Sequence, residues 1–103
     1  MLIFGITLGL ANSVNALSAN SILQNKNDPV IQGYLNGIAQ ALLFANVKLK
    51  ADGYPTIFCT SDSIAHTGEL AAEAIRTGAE IYDEDVHPAL LAMWGFMEMF
   101  PCR

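Results

Sequence analysis

The sequence predicts an all-α protein, a small helical bundle of about three to four helices stapled by one disulfide. Three observations carry this. Apolar residues recur at helical spacing in three stretches, each opened by a capping or proline signal and closed by glycine or proline. The chain has 103 residues, too few for more than one small core. Its two cysteines, Cys59 and Cys102, could join the middle of the chain to its last turn.

The first stretch is not part of that bundle. Met1 to Ala16 holds MLIFGITLGL and ANSVNA without a charged side chain. It is too short and too apolar to be read as anything but a leader or an N-terminal helix, and Val14 and Ala16 suit signal-peptidase cleavage after Ala16. The expectation is therefore a signal peptide over 1–16 and a single helical domain over 17–103. A basic segment ahead of the apolar run is missing, so an ordinary N-terminal helix, or a start internal to a longer signal, remains the alternative.

From Asn20 to Asp28 the polar NSILQNKND reads as an arm with one short turn at Ile22 and Leu23. Asp28 and Pro29 then open the longest helix, whose stripe is Ile31, Leu35, Ile38, Leu42 and Ala45 and whose end lies near Gly53. Gly33 and Gly37 share a face of it, where another backbone could come close. Such a face serves either a crossing inside the monomer, which is the reading preferred here, or a homodimer contact. ADGYPTIFCTSDS, from Ala51 to Ser63, is dense in turn formers and reads as a loop, with Ile57 and Phe58 holding Cys59 near the core.

A second helix starts between Ser63 and Gly68 and runs to about Gly78, facing inward with Leu70, Ala71, Ala74 and Ile75. Glu73, Arg76 and Glu80 lie on its solvated face. After it, Tyr82, Asp83, Glu84, Asp85 and His87 form a connection rich in carboxylates. Those charges suit a helix N-terminus, and the connection is also the candidate partner-binding surface, because exposed connections carry binding residues more often than packed helices do. The last helix is expected to take Asp85 as its cap and Pro88 in its first turn, to bury Leu90, Trp94 and Met97 with Leu91, Phe96 and Phe100 beside them, and to stop at Pro101.

Without the leader about 87 residues remain, a size at which one core gives only a few kcal/mol of net stability. Closing Cys59 to Cys102 restricts a loop of roughly 44 residues and contributes on the order of 4 kcal/mol. Two free thiols in a reducing compartment are the alternative, and the leader and the even cysteine count favour the bond.

The composition excludes several functions. A net charge of −5 and a pI near 4.6 leave no basic face for nucleic acid. Two cysteines and two histidines in no ligand spacing imply no metal site. His66 with Glu69, and His87 with Asp83, are acid-histidine pairs with neither a third ligand nor a nucleophile. Ser61, Asp62 and His66 have the letters of a triad without a nucleophile elbow. No catalytic residue, cofactor or metal is therefore assigned, and the expectation is a protein that is not an enzyme.

Gly33 to Ala39 (GYLNGIA), the cysteine loop at Cys59, Gly68 to Leu70 (GEL) opening an amphipathic helix, and the terminal Phe100, Pro101 and Cys102 come in the order found in the Rap/Tai-type immunity proteins of type VI secretion, which the chain resembles from Gly33 to Cys102. The resemblance implies a small, exported, disulfide-bonded helical protein of the periplasm. Its partner would be a cognate peptidoglycan amidase delivered by neighbouring cells, blocked by a surface feature that plugs the cleft. Similar immunity proteins often act as dimers, which would give Gly33 and Gly37 their second use. No nucleic acid, and no stable membrane insertion once the leader is removed, belongs to this reading. The runner-up is a periplasmic acid-stress chaperone or another small periplasmic binding module. Five Lys and Arg and two His stand against ten Asp and Glu, so acid turns an anionic chain strongly cationic.

Overall fold

The computed structural model describes residues 18–61 and 63–103. The expected leader, 1–16, and Asp62 lie outside the described residues. Four helices succeed one another, α1 (Ala19–Gln24), α2 (Pro29–Ala51), α3 (Gly68–Ile81) and α4 (Pro88–Met99), with no strand among the described residues. Cys59 and Cys102 are bonded across a sequence separation of 43, their Cα atoms 5.0 Å apart. The all-α, disulfide-stapled fold is as expected.

α1 replaces the polar arm. Ser18 Oγ accepts from the Ser21 backbone N–H at 3.1 Å, capping the helix, and Ala19 and Ile22 are buried where α1 packs on α3. Six residues with one large buried anchor are too few to show a helical period, so polar neighbours hide the element in the sequence.

α2 opens as its sequence dictates, with Asp28 Oδ1 accepting from Val30 N–H at 2.9 Å and Pro29 in the first turn. It closes in a Schellman motif. Tyr54 N–H donates to Leu49 O and Gly53 N–H to Lys50 O, and Gly53 takes φ +79, a conformation that costs glycine alone little. Leu35, Ile38 and Ala39 are buried, with Ile31 and Leu42 packed beside them. Two asparagines on α2 fasten the middle connection and the start of α3. Asn46 donates through Nδ2 to Phe58 O and accepts at Oδ1 from Ile57 N–H, both at 2.8 Å. Asn36 Oδ1 accepts from Gly68 N–H at 2.7 Å, docking the first turn of α3. Phe58, thus held, is buried and stacks on Phe96 with ring centroids 4.9 Å apart.

α3 is capped by Thr67, whose Oγ1 accepts from Leu70 N–H at 3.2 Å. Ala71, Ala72, Ala74 and Ile75 are buried, and the Arg76–Glu73 ion pair lies on the outer face. The helix continues past Gly78, expected as its end, to Ile81. Gly78 is an interior contact: a Cβ there would meet the Leu91 backbone, its carbonyl carbon at 3.0 Å. Gly95 on α4 repeats the arrangement, since a Cβ would meet the Ala74 carbonyl carbon at 2.5 Å and its Cα at 2.8 Å. These two glycines let the α3 and α4 backbones touch, and this crossing is the most extensive in the fold.

Three expectations are corrected here. Among the described residues Gly33 and Gly37 make no close crossing; both are exposed, with no described atom within 4 Å of where a Cβ would stand. The cap of α4 is His87, not Asp85: its Nδ1 accepts from Ala89 N–H at 3.1 Å, because Pro88 at the first helical position makes the preceding residue the cap. The buried side of α4 is Leu91, Ala92, Gly95 and Phe96, while Leu90 and Met97 are 37% and 42% exposed and Trp94 is half-buried. The contact through Gly95 turns α4 so that the expected stripe faces outward. Among the described residues no helix is long and apolar enough to cross a membrane.

Candidate protein-docking surface

The connection between α3 and α4 is short and anchored at both ends. Tyr82 N–H still donates to Gly78 O at 2.8 Å, closing α3. At the far end Val86 packs against the core and Pro88 is buried. Between them Asp83 folds the chain into a turn: its Oδ1 accepts from Asp85 N–H at 2.9 Å while its carbonyl accepts from Val86 N–H at 3.0 Å. This Asx turn leaves the side chains of Asp83, Glu84 and Asp85 exposed. The ion pairs among the described residues are Lys48–Asp52 and Arg76–Glu73, so none of these three carboxylates is paired with a basic side chain there.

Tyr82 is 48% exposed and lies over Trp94, ring centroids 4.4 Å apart at 39°. The aromatic pair ties the acidic connection to the outer side of α4. His87 is engaged through Nδ1 as the helix cap, which leaves its Nε2 edge as the outward polar atom. Tyr82, Asp83, Glu84, Asp85 and His87 thus form one exposed, ordered ridge. Leu90, Trp94 and Met97 belong beside them, a group that helical spacing alone assigns to the core.

The remaining candidates are dispersed. Cys59 and Cys102 form the disulfide, which is exposed, with Thr56 Oγ1 at 3.4 and 3.5 Å from the two sulfurs and Cys59 N–H donating to Phe100 O at 2.8 Å. It fixes the C-terminal segment to the middle connection and stands apart from the acidic ridge. Gly33 and Gly37 lie on the outer side of α2. His66 packs against Phe58 and Phe96, with ring centroids 6.0 and 6.4 Å away, and makes no hydrogen bond to Glu69. Ser61 Oγ lies 2.9 Å from Ser63 Oγ rather than against His66.

Two open clefts occur elsewhere. One of about 280 Å³ lies at the start of α3 between Lys26, Asn36 and Glu69, and one of about 440 Å³ lies beside the disulfide between Val47, Lys50, Tyr54 and His66. Among the described residues no three His, Cys, Asp or Glu side chains cluster as metal ligands. The electrostatic perturbations are structural: burial pushes the Tyr34 hydroxyl up from its ordinary value, and the neighbouring Glu73 raises Arg76 further. No protein-family model, curated protein or solved structure matches this chain.

Proposed function

We propose that the chain is a partner-binding protein of the immunity type, which occupies the cleft of a secreted peptidoglycan amidase in the periplasm and keeps the cell-wall peptide from its nucleophile. The observation that carries this reading is the ridge from Tyr82 to His87: ordered by the Asp83 turn, exposed, and bearing three carboxylates that form no ion pair among the described residues. A plug needs these properties. It must hold its shape before contact, since ordering a loop on binding costs affinity, and its charges must be free for the partner. The leader pattern over 1–16 and the disulfide support the periplasm, an oxidising compartment.

The test is periplasmic co-expression with whatever protein is encoded beside this chain, scoring survival and co-purification. Rescue with a stable complex is expected, and Asp83→Lys combined with Asp85→Lys should abolish both while the fold persists. A harmless neighbour that fails to co-purify overturns the assignment. The acid-stress chaperone ranks second because none of the described carboxylates is buried, so acid has no core charge among them to neutralise.

A further inference from the structure

α4 is apolar on every side. From Pro88 to Phe100 its only charged residue is Glu98. A helix of that composition is ordinarily enclosed by protein on all sides, yet here the described residues cover one side. Leu91, Ala92, Gly95 and Phe96 meet the core. Leu90, Trp94 and Met97, spaced i, i+4 and i+7, stand together on the opposite side with Leu90 and Met97 well exposed. Tyr82 extends this apolar surface through its ring contact with Trp94.

The segment that carries this face is of one sign. No Lys or Arg occurs between Arg76 and Arg103, whereas Glu80, Asp83, Glu84, Asp85 and Glu98 do, all of them exposed. Arg76 itself is engaged by Glu73. This charge pattern selects among the occupants an apolar face can have. A second copy seated on the same face would bring two acidic rims together without a cation to separate them. A phospholipid surface would oppose the carboxylates with its own phosphates. A protein surface carrying Lys and Arg satisfies both the centre and the rim.

We propose that the outer face of α4, formed by Leu90, Trp94 and Met97 with Tyr82, is the apolar centre of a docking surface whose partner presents an apolar ridge flanked by Lys and Arg. The proposal rests on the partner-binding reading above and adds the chemistry of the partner. The division of labour is the usual one for protein interfaces. Aromatic and aliphatic anchors at the centre supply affinity once desolvated, and the acidic rim orients the encounter and speeds it.

Trp94 is the only tryptophan in the chain, so its emission reports coverage of this face directly. The probe is a synthetic amphipathic helical peptide of Leu and Lys, and its comparator carries Glu in place of every Lys. With the Leu/Lys peptide a saturable blue shift of Trp94 and protection from acrylamide quenching are expected; with the Leu/Glu peptide, neither. The triple variant Asp83→Asn, Glu84→Gln, Asp85→Asn should weaken binding about tenfold, and added salt should erase most of that difference. Leu90→Gln with Met97→Gln replaces side chains already partly in water, so circular dichroism should show an intact fold while peptide binding falls at least as far.

Equal responses to both peptides, an unresponsive Trp94, or unchanged affinity in both variants overturns the proposal. So does protection of Trp94 by raising the protein concentration alone, which would assign the face to a second copy, or protection by phosphatidylglycerol vesicles without peptide binding, which would assign it to a membrane. No hydrolase is present in the titration. A negative titration with rescue in co-expression therefore removes the α4 face and keeps the immunity reading; the reverse pair of results keeps the face and removes that partner.

Discussion

Gly95→Ala tests the crossing that sets the orientation of α4. The added methyl would lie 2.5 Å from the Ala74 carbonyl carbon and 2.8 Å from its Cα, against backbone that cannot rotate away. Carbon contacts are comfortable at about 3.5–4.0 Å, so α3 and α4 must separate by on the order of 1 Å. Overpacking of this kind costs about 1–3 kcal/mol, and Leu91 and Phe96, both fully buried, lose contact as the crossing opens. Opposing this, alanine is a better helix former than glycine by about 1 kcal/mol. The clash should win, leaving a net loss of about 2 kcal/mol once the lost contacts of Leu91 and Phe96 are added. Gly37→Ala supplies the control, because nothing lies within 4 Å of its added methyl. The propensity term then acts alone, and a gain of about 0.5–1 kcal/mol is expected. Urea unfolding of the oxidised proteins, monitored by far-ultraviolet circular dichroism, separates the cases, since each kcal/mol moves the midpoint by up to about 1 M. A Gly95→Ala protein as stable as the parent would refute the close crossing. A destabilised Gly37→Ala protein, with a midpoint that depends on protein concentration, would instead show that the outer side of α2 is occupied by another copy.

Three further outcomes are expected from the geometry. Cys59→Ala with Cys102→Ala opens a sequence separation of 43, and the chain-entropy model gives a loss of about 4 kcal/mol; a urea midpoint that barely moves would count against that model here. Asn46→Ala leaves Ile57 N–H and Phe58 C=O without their side-chain partner, at a cost of about 2–3 kcal/mol; an unchanged urea midpoint would contradict the two-bond account. The Tyr34 hydroxyl is buried without a hydrogen-bond partner among the described residues, and burial raises its pKa above 10.0, so the folded state holds that proton more tightly than the unfolded state. Its contribution is complete below about pH 10 and is lost as pH rises through the folded value; Tyr34→Phe should flatten this alkaline decline and be neutral or stabilising by up to about 1 kcal/mol at about pH 7, as read from thermal melts across pH.

The features legible in the sequence are those written in local chemistry. Asp28 with Pro29 marks the start of α2 and Gly53 its end, because capping and left-handed backbone need those side chains whatever the tertiary context. The cysteine pair is legible for a simpler reason, there being only one pairing to make. Features that depend on a neighbour are not. Gly78 has the sequence signature of a helix end and is instead a contact with the Leu91 backbone, while Gly33 and Gly37 have the signature of a contact and face open space. A glycine reads the same in each role. The acidic connection is visible as a run of letters, but its order comes from the Asp83 turn, and the cap of α4 is His87 rather than the Asp85 that local chemistry favours.

The orientation of α4 cannot be recovered from periodicity at all. A helix apolar on every side has no preferred inward direction, and both the Leu90–Trp94–Met97 row and the Leu91–Gly95–Phe96 row have helical spacing. What separates them is the closeness each allows. The row containing Gly95 brings two backbones into contact and buries Leu91 and Phe96 completely, whereas the other row would hold the helices apart by the width of Trp94. Packing density therefore selects the glycine row. That choice satisfies the fold and leaves Leu90 and Met97 partly in water, where polar residues would serve the isolated domain as well. Folding thus accounts for one row of α4 and is indifferent to much of the other. The second row, joined to Tyr82 and carried on a segment whose charged residues from Glu80 to Glu98 are all acidic, is accounted for by the basic, apolar partner proposed above.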